Sequence, residues 1–362
     1  MFHSHELSPG RMGRSFALLA ALCLSWLGTT SAQAQDRAFA FALIGDMPYS
    51  KAEEKEFANL IAAVNSADLA FLVHVGDMQN DGRRYNPTTD SMPCTEDYDK
   101  WLLQMFQSIR HPVVITPGDN DWTDCHFLTT RQVDPLDRLA KVRATFFPAG
   151  KSLGQRSITV ESQAKDPQYA KFVENLRWSM GGVMFATLHI VGSNDNCCRT
   201  PEMDMEYRER KSANIAWMRA TFAKAKTDGS RGLVLMTQAN PFFENHGPQG
   251  SKNTYLNMIV GAKAPEQKQP SAFDDYIAAL AEEMESYDKP VAYLHGDTHR
   301  FRIDHSLFSA KSNRRFENFI RVETYGSPDI HWVKVTVDPA DPMLFRFDAQ
   351  IVPANVANRR DK

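Results

Sequence analysis

Aspartates that follow a glycine at the end of an apolar run are the chemically loaded positions of this chain. The run 39–44 stops at Gly45-Asp46, and 69–75 stops at Gly76-Asp77. The run 112–116 stops at Pro117-Gly118-Asp119, and 291–294 leads through His295 into Gly296-Asp297. A glycine before each aspartate lets the backbone turn sharply and approach a neighbour closely. One such pair is ordinary turn chemistry. Four of them behind strand-like runs imply a shared location. Carboxylates brought together cannot all stay ionised without a counter-charge. A divalent metal supplies one, and two ions about 3.5–4 Å apart form a clamp suited to in-line displacement at phosphorus.

The elements that must position these groups are legible in outline. Short apolar runs bounded by turn residues read as buried strands. Helical patterns lie between them at 52–65 and 95–109. A β-α-β-α-β order implies a largely parallel sheet, and ligands bind such a sheet beyond the carboxyl ends of its strands. Farther on, 176–191 reads as two strands joined by Gly181-Gly182, 204–225 as a helix, 232–237 as a strand and 272–286 as a helix. The tail, 319–352, reads as an antiparallel meander, and 245–268 as a polar surface loop that lines the site.

The N-terminus carries Arg11 and Arg14, an apolar run at 16–27, and Ala32-Gln33-Ala34. That pattern predicts a cleavable secretory signal over 1–34 and a single domain over 35–362. The expected location is therefore periplasmic or secreted, with no membrane association after cleavage. Export makes disulfides the default for Cys94, Cys125, Cys197 and Cys198. A Cys94–Cys125 bridge is preferred, because those cysteines flank a helix and a strand. Cys197 and Cys198 could bond to each other, stay free or pair elsewhere. The formal net charge of -3 and the absence of a basic tail argue against a nucleic-acid partner. No nucleophile elbow, Walker loop or dinucleotide fingerprint stands out.

The motifs resemble those of the calcineurin-like metallophosphoesterases. That family carries D-x-H, G-D, G-N-H-D/E, a strand-end His and G-H-x-H, in that order. The matching stretches here are Asp46-Met47-Pro48, Gly76-Asp77, Gly118-Asp119-Asn120-Asp121, Thr237-Gln238-Ala239-Asn240-Pro241 and Gly296-Asp297-Thr298-His299. The chain also resembles an exported branch with G-D-x-P-Y, G-D-N-D/E-W-T-D-C, Q-A-N-P and H-G-D-T-H. The resemblance implies a four-layer αββα sandwich of two packed mixed sheets flanked by helices. It implies a metal set of Asp46, Asp77, Asp119, Gln238 (or Asn240), Asp297 and His299. It also implies hydrolysis of a small phosphomonoester or phosphodiester by metal-bound hydroxide.

The departures from the family pattern carry their own message. Pro48 stands at a ligand-His position and has no donor. Asp119 replaces a ligand Asn, and Asp297 replaces a ligand His. Asn120 replaces the His that stabilises or protonates the leaving group in the family, and the loss of a general acid is worth about 10²- to 10⁴-fold in rate. Fewer imidazoles and more carboxylates favour Mn, Mg or Ca over Zn or Fe, with one or two ions bound. Arg300 is a candidate phosphate binder, and His126 is a candidate to face the substrate. Tyr49 and Trp122 are candidates to wall the pocket. The alternative reading is a degenerate relative that binds metal or ligand without turnover.

Overall fold

The computed structural model describes residues 1–5, 37–83, 85–242 and 271–357. Most of the expected leader and the expected loop at 245–268 lie outside these residues. Among the described residues no helix is long and apolar enough to cross a membrane.

Strands β1 (Phe39–Ile44), β2 (Leu72–His74) and β3 (Val113–Ile115) lie side by side and parallel. Helices α1 (Lys51–Ser66) and α2 (Glu96–Gln107) form the connections between them. Each helix starts where its sequence says it should. The Ser50 hydroxyl accepts from Glu53 N–H, and the Thr95 hydroxyl accepts from Tyr98 N–H, each satisfying a donor that the first turn leaves open. A third helix, α3 (Pro135–Phe146), follows β3 with Asp134 as its cap and Pro135 in its first turn.

A second sheet holds β4 (Glu161–Ser162), β5 (Leu176–Met180), β6 (Val183–Thr187), β7 (Gly232–Met236), β8 (Val291–His295), β9 (Arg302–Asp304) and β10 (Phe319–Glu323). Its order is β4-β5-β6-β7-β8-β10-β9, with β6, β7, β8 and β10 parallel. Helices α4 (Pro201–Thr227) and α5 (Asp274–Met284) belong to this half. The first sheet is completed by β11 (Trp332–Val337) and β12 (Phe345–Gln350), in the order β12-β11-β1-β2-β3. Both sheets are mixed.

Three apolar clusters assign the faces. Phe41, Leu43 and Val73 of the first sheet meet Phe185, Val234 and Leu294 of the second. Ala42, Ile44 and Leu72 join Phe57, Leu102, Phe106 and Val142 of α1, α2 and α3. Leu233, Leu235 and Tyr293 join Trp217, Phe222 and Leu280 of α4 and α5. Successive strand side chains point to opposite faces. Strand β1 is covered on both, so its sequence is nearly continuous in apolar residues rather than alternating.

The antiparallel meander expected over 319–352 does not form. Strand β10 joins the second sheet, parallel to β8 and antiparallel to β9, whereas β11 and β12 pair antiparallel in the first sheet, where β11 also runs antiparallel to β1. Period and apolarity report that a strand is buried, but not which sheet buries it. The crossing between sheets brings Ser327 and Pro328 to the mouth of the cleft described next.

Candidate functional site

The carboxyl ends of both sheets open onto one cleft of about 730 Å³. Asp46 follows β1, Asp77 follows β2, Asp119 lies beyond β3, Gln238 follows β7 and Asp297 follows β8. Hydrogen bonds tie them into one cluster. Asp297 N–H donates to Asp46 Oδ1 at 2.9 Å. Gln238 Nε2 donates to Asp77 Oδ2 at 3.0 Å, and Tyr49 Oη lies 3.2 Å from the same oxygen. Asp119 lies close enough to Asp77 for charge repulsion to raise the Asp77 pKa. His299 Nε2 stands 3.3 Å from Tyr49 Oη and 3.7 Å from Asp46 Oδ1.

The glycines permit this convergence by lacking a side chain. A Cβ on Gly118 would sit 2.0 Å from Asp77 Oδ1, and one on Gly296 would sit 2.0 Å from Asp46 Oδ2. The ligand candidates themselves take up the strain. Asp46, Asp77, Asp297 and His299 all have positive φ, at 55°, 56°, 83° and 61°. Such conformations cost on the order of 1–3 kcal/mol each and gather at functional sites.

Bracing is dense. Asp121 accepts N–H bonds from Gly118, Asp77 and Met78, locking the β2 and β3 loops together. His74 accepts from Gly76 N–H through Nδ1 and so donates through Nε2 to Met47 O. Burial lowers its pKa to about 4, so it stays neutral. The Ser327 carbonyl lies 2.7 Å from His299 Nδ1 and can only accept, which places the proton on Nδ1 and leaves Nε2 as a lone-pair donor. Ser327 is itself held by Glu53 in α1 and by Asp46 O.

The electrostatics are those of unneutralised carboxylates. Burial, then mutual repulsion, pushes Asp46 and Asp77 well above the usual carboxylate range. Burial and Asp297 raise Asp119 to about 7; burial and Asp119 raise Asp124 to about 7. Burial raises Asp297 to about 6. Asp46 Oδ2, Asp119 Oδ1 and Asp124 Oδ1 are buried without a hydrogen-bond partner. Buried carboxylate oxygens in this state are rare unless a cation or an ordered water satisfies them. Oxygen donors with one imidazole suit a hard divalent ion. The residues present therefore fit a metal. Another trio, Cys197, Cys198 and Asp204, has ligand atoms all within 4.8 Å of one another. Its two sulfurs are joined as a disulfide and offer no thiolate.

No family model matches the sequence, and no curated protein matches it. Among solved structures, that of PhoD is similar in fold at a TM-score of 0.46 and 12% identity, over 83% of this chain and 64% of the other. The chain thus spans less than two thirds of the PhoD chain. The reading that follows rests on the cleft.

The structure brings Asp46, Asp77, Asp119, Asp297, His299 and Asn120 together. Gln238 reaches the same place in a different capacity from the expected ligand. Its Oε1 accepts from Gly192 N–H at 2.6 Å, so its NH2 faces Asp77, and an NH2 group cannot coordinate a cation. Asn240 turns its Oδ1 to Arg321 and its backbone N–H to Asp297. The Asn120 amide donates to Gln79 O, while its backbone N–H holds Asp77 Oδ1. Neither Arg300 nor His126 is among the described residues lining the cleft. Arg300 is exposed, and His126 packs on Arg199 and the Thr123 carbonyl. Trp122 is fully buried and donates to His189, so it is core rather than wall; Tyr49 does line the cleft. The lining residues that the motifs left unassigned include Arg83, Asp124, Ser193 and Ser327. Asp124 lay within a quoted motif; Ser193 follows Gly192 behind the run ending at Val191 but carries no carboxylate to mark it, and Arg83 and Ser327 belong to no Gly-Asp pair.

Proposed function

We propose that this chain is an exported, metal-dependent phosphohydrolase built as a metallophosphoesterase-type four-layer αββα sandwich. One observation supports it above the rest: buried, unpartnered oxygens of Asp46 and Asp119 stand with His299 Nε2 at the convergent strand ends. Asp46, Asp77, Asp119, Asp297 and His299 would hold one or two ions, with Mg, Mn or Ca suited to this set. Bound there, a divalent ion supplies Lewis-acid charge to a phosphoryl oxygen and makes water a competent nucleophile near neutral pH. Gln238 orients Asp77. Tyr49 offers its hydroxyl at the mouth of the cleft, and among the described residues Arg83, rather than Arg300, brings a guanidinium to the lining. The leader pattern and two disulfides support export.

A second reading, metal binding without turnover, is favoured by Asn120. One of its two amide hydrogens is committed to Gln79 O, and an amide cannot act as a general acid. The test is hydrolysis of aryl phosphate mono- and diesters by the mature protein with added manganese or magnesium. Turnover abolished by a chelator, and cut at least about 100-fold in kcat/KM by Asp77→Asn, is expected. A folded protein stabilised by metal but silent on every substrate selects the second reading. Indifference to metal in both assays removes the site.

A further inference from the structure

Asp124 lies outside the strand-end ligand set, yet it is built into the same cleft. It sits in the 3-10 turn Thr123–Phe127, and its N–H donates to Asp119 O at 2.9 Å. Its side chain lines the cleft although the residue is only 3% exposed. One oxygen, Oδ2, accepts from Ser193 Oγ at 2.9 Å; the other, Oδ1, has no hydrogen-bond partner. Asp119 Oδ1 is in the same condition. The Ser193 hydroxyl has one hydrogen, and it goes to Asp124. Among the described residues no salt bridge reaches either aspartate, although Arg199 is close. Its guanidinium goes instead to Thr123, Asn196 and His126.

Ser193 is held in place at some strain. It opens four consecutive non-glycine residues with positive φ, from 48° at Ser193 to 64° at Asn196. Behind the turn, Asp195 is pinned by Arg210, by Tyr276 Oη at 2.8 Å and by Val191 N–H at 3.0 Å. In front, a Cβ on Gly192 would lie 2.7 Å from Asp119 Oδ2, so the backbone presses against that carboxylate. The whole arrangement fixes Asp124 Oδ2 through Ser193, packs Gly192 against Asp119 Oδ2, and leaves Oδ1 of both aspartates unsatisfied and buried.

We propose that Asp124 is a further cation ligand, forming with Asp119 a coordination position on the Ser193 side of the cleft. The inference rests on the metal-binding reading above. Asp124 would add a carboxylate-oxygen donor beside Asp119. Oxygen from Asp suits magnesium, manganese or calcium, so this donor shifts the choice of ion. Ser193 is then a positioning residue that sets which carboxylate oxygen faces the ion.

The experiment is calorimetric titration of the chelator-treated protein with Mn²⁺ and with Mg²⁺, for wild type, Asp124→Asn and Asp77→Asn, alongside melting of the metal-free forms. Asp124→Asn keeps an acceptor for Ser193 and removes a charge. It should lose one bound equivalent or weaken binding by about 10-fold or more, and leave the metal-free Tm unchanged or raised. Asp124→Glu should recover part of the binding. Unchanged stoichiometry and Kd in Asp124→Asn, with Asp77→Asn impaired, overturns this inference and spares the parent reading. A lower metal-free Tm with unchanged binding assigns Asp124 a purely structural role. Wild type that binds no ion removes both. Should Asp124→Asn not fold, Ser193→Ala is read in the same titration, where weakened binding supports the proposal and unchanged binding overturns it.

Discussion

Gln238 shows how a side chain can be found by its position in the chain and still be misassigned in its chemistry. Its place behind β7 marked it for the cleft, and it arrives there. Which end of its amide faces the carboxylates depends on Gly192, a residue 46 positions away whose N–H must find an acceptor. No local pattern encodes that pairing. The two roles predict opposite results for Gln238→Glu. An oxygen ligand would gain charge and bind metal more tightly. A carboxylate-orienting amide would become a carboxylate against Asp77. We expect the second: the metal-free variant should lose about 1–3 kcal/mol near pH 8 in a denaturant melt, the cost of an unmatched buried polar group. A variant as stable as wild type and tighter for manganese would restore Gln238 to the ligands. The aspartates behind glycines were legible because each closes an apolar run. Asp124 closes none, Ser193 follows the run ending at Val191 without a carboxylate, and the pairing of the two exists only after folding.

Loops rather than strands decide the site, and loops are where sequence periodicity carries least. Strands β1, β2, β3 and β8 were readable because covered strands are apolar along their length. The edge strands β4 and β9 are short and half exposed, so they left no signal. Helix α3 did announce itself, through Asp134-Pro135, but without an adjacent strand-end motif to draw attention. The loop before α2 and the turn after β3 are stapled by Cys94–Cys125, at a Cα–Cα distance of 5.9 Å and a sequence separation of 31. That turn carries Asp124 and adjoins Asn120. A bridge closing a loop of this length removes chain entropy from the unfolded state, worth about 3–4 kcal/mol in the entropy model. The Cys94→Ser, Cys125→Ser double variant should lose stability of that order in urea. It should also bind metal more weakly than wild type, because the turn is no longer tied down. Lost stability with unaltered metal affinity would show that the strand ends alone hold the ion.

The chain is near-neutral overall, at a formal charge of -3, yet it concentrates buried acid at one edge. The pH dependence of stability follows from that concentration, and its sign can be worked out. The folded-state pKa values of Asp119 and Asp124 lie at about 7, above the 3.8 of a free aspartate, so the folded form binds more protons. Their contribution is fully present below about pH 4 and is lost as pH rises through about 7. His74 and His189 act in the opposite sense, since burial lowers both to about 4 from 6.5. They make stability rise with pH from about 4 to 6.5, and their contribution is full and level above that. Two opposed trends therefore overlap on the acid side, and only the carboxylate trend remains above about pH 6.5. The metal-free protein should show a falling Tm from about pH 6.5 to pH 8, and saturating magnesium or manganese should flatten that fall by supplying the missing charge. Asp124→Asn should flatten it in part without any metal. A metal-free Tm that is level or rising across this interval would mean that the carboxylates do not feel one another. The unpartnered oxygens would then be satisfied by water, and the case for a cation at the meeting of the two sheets would fail with them.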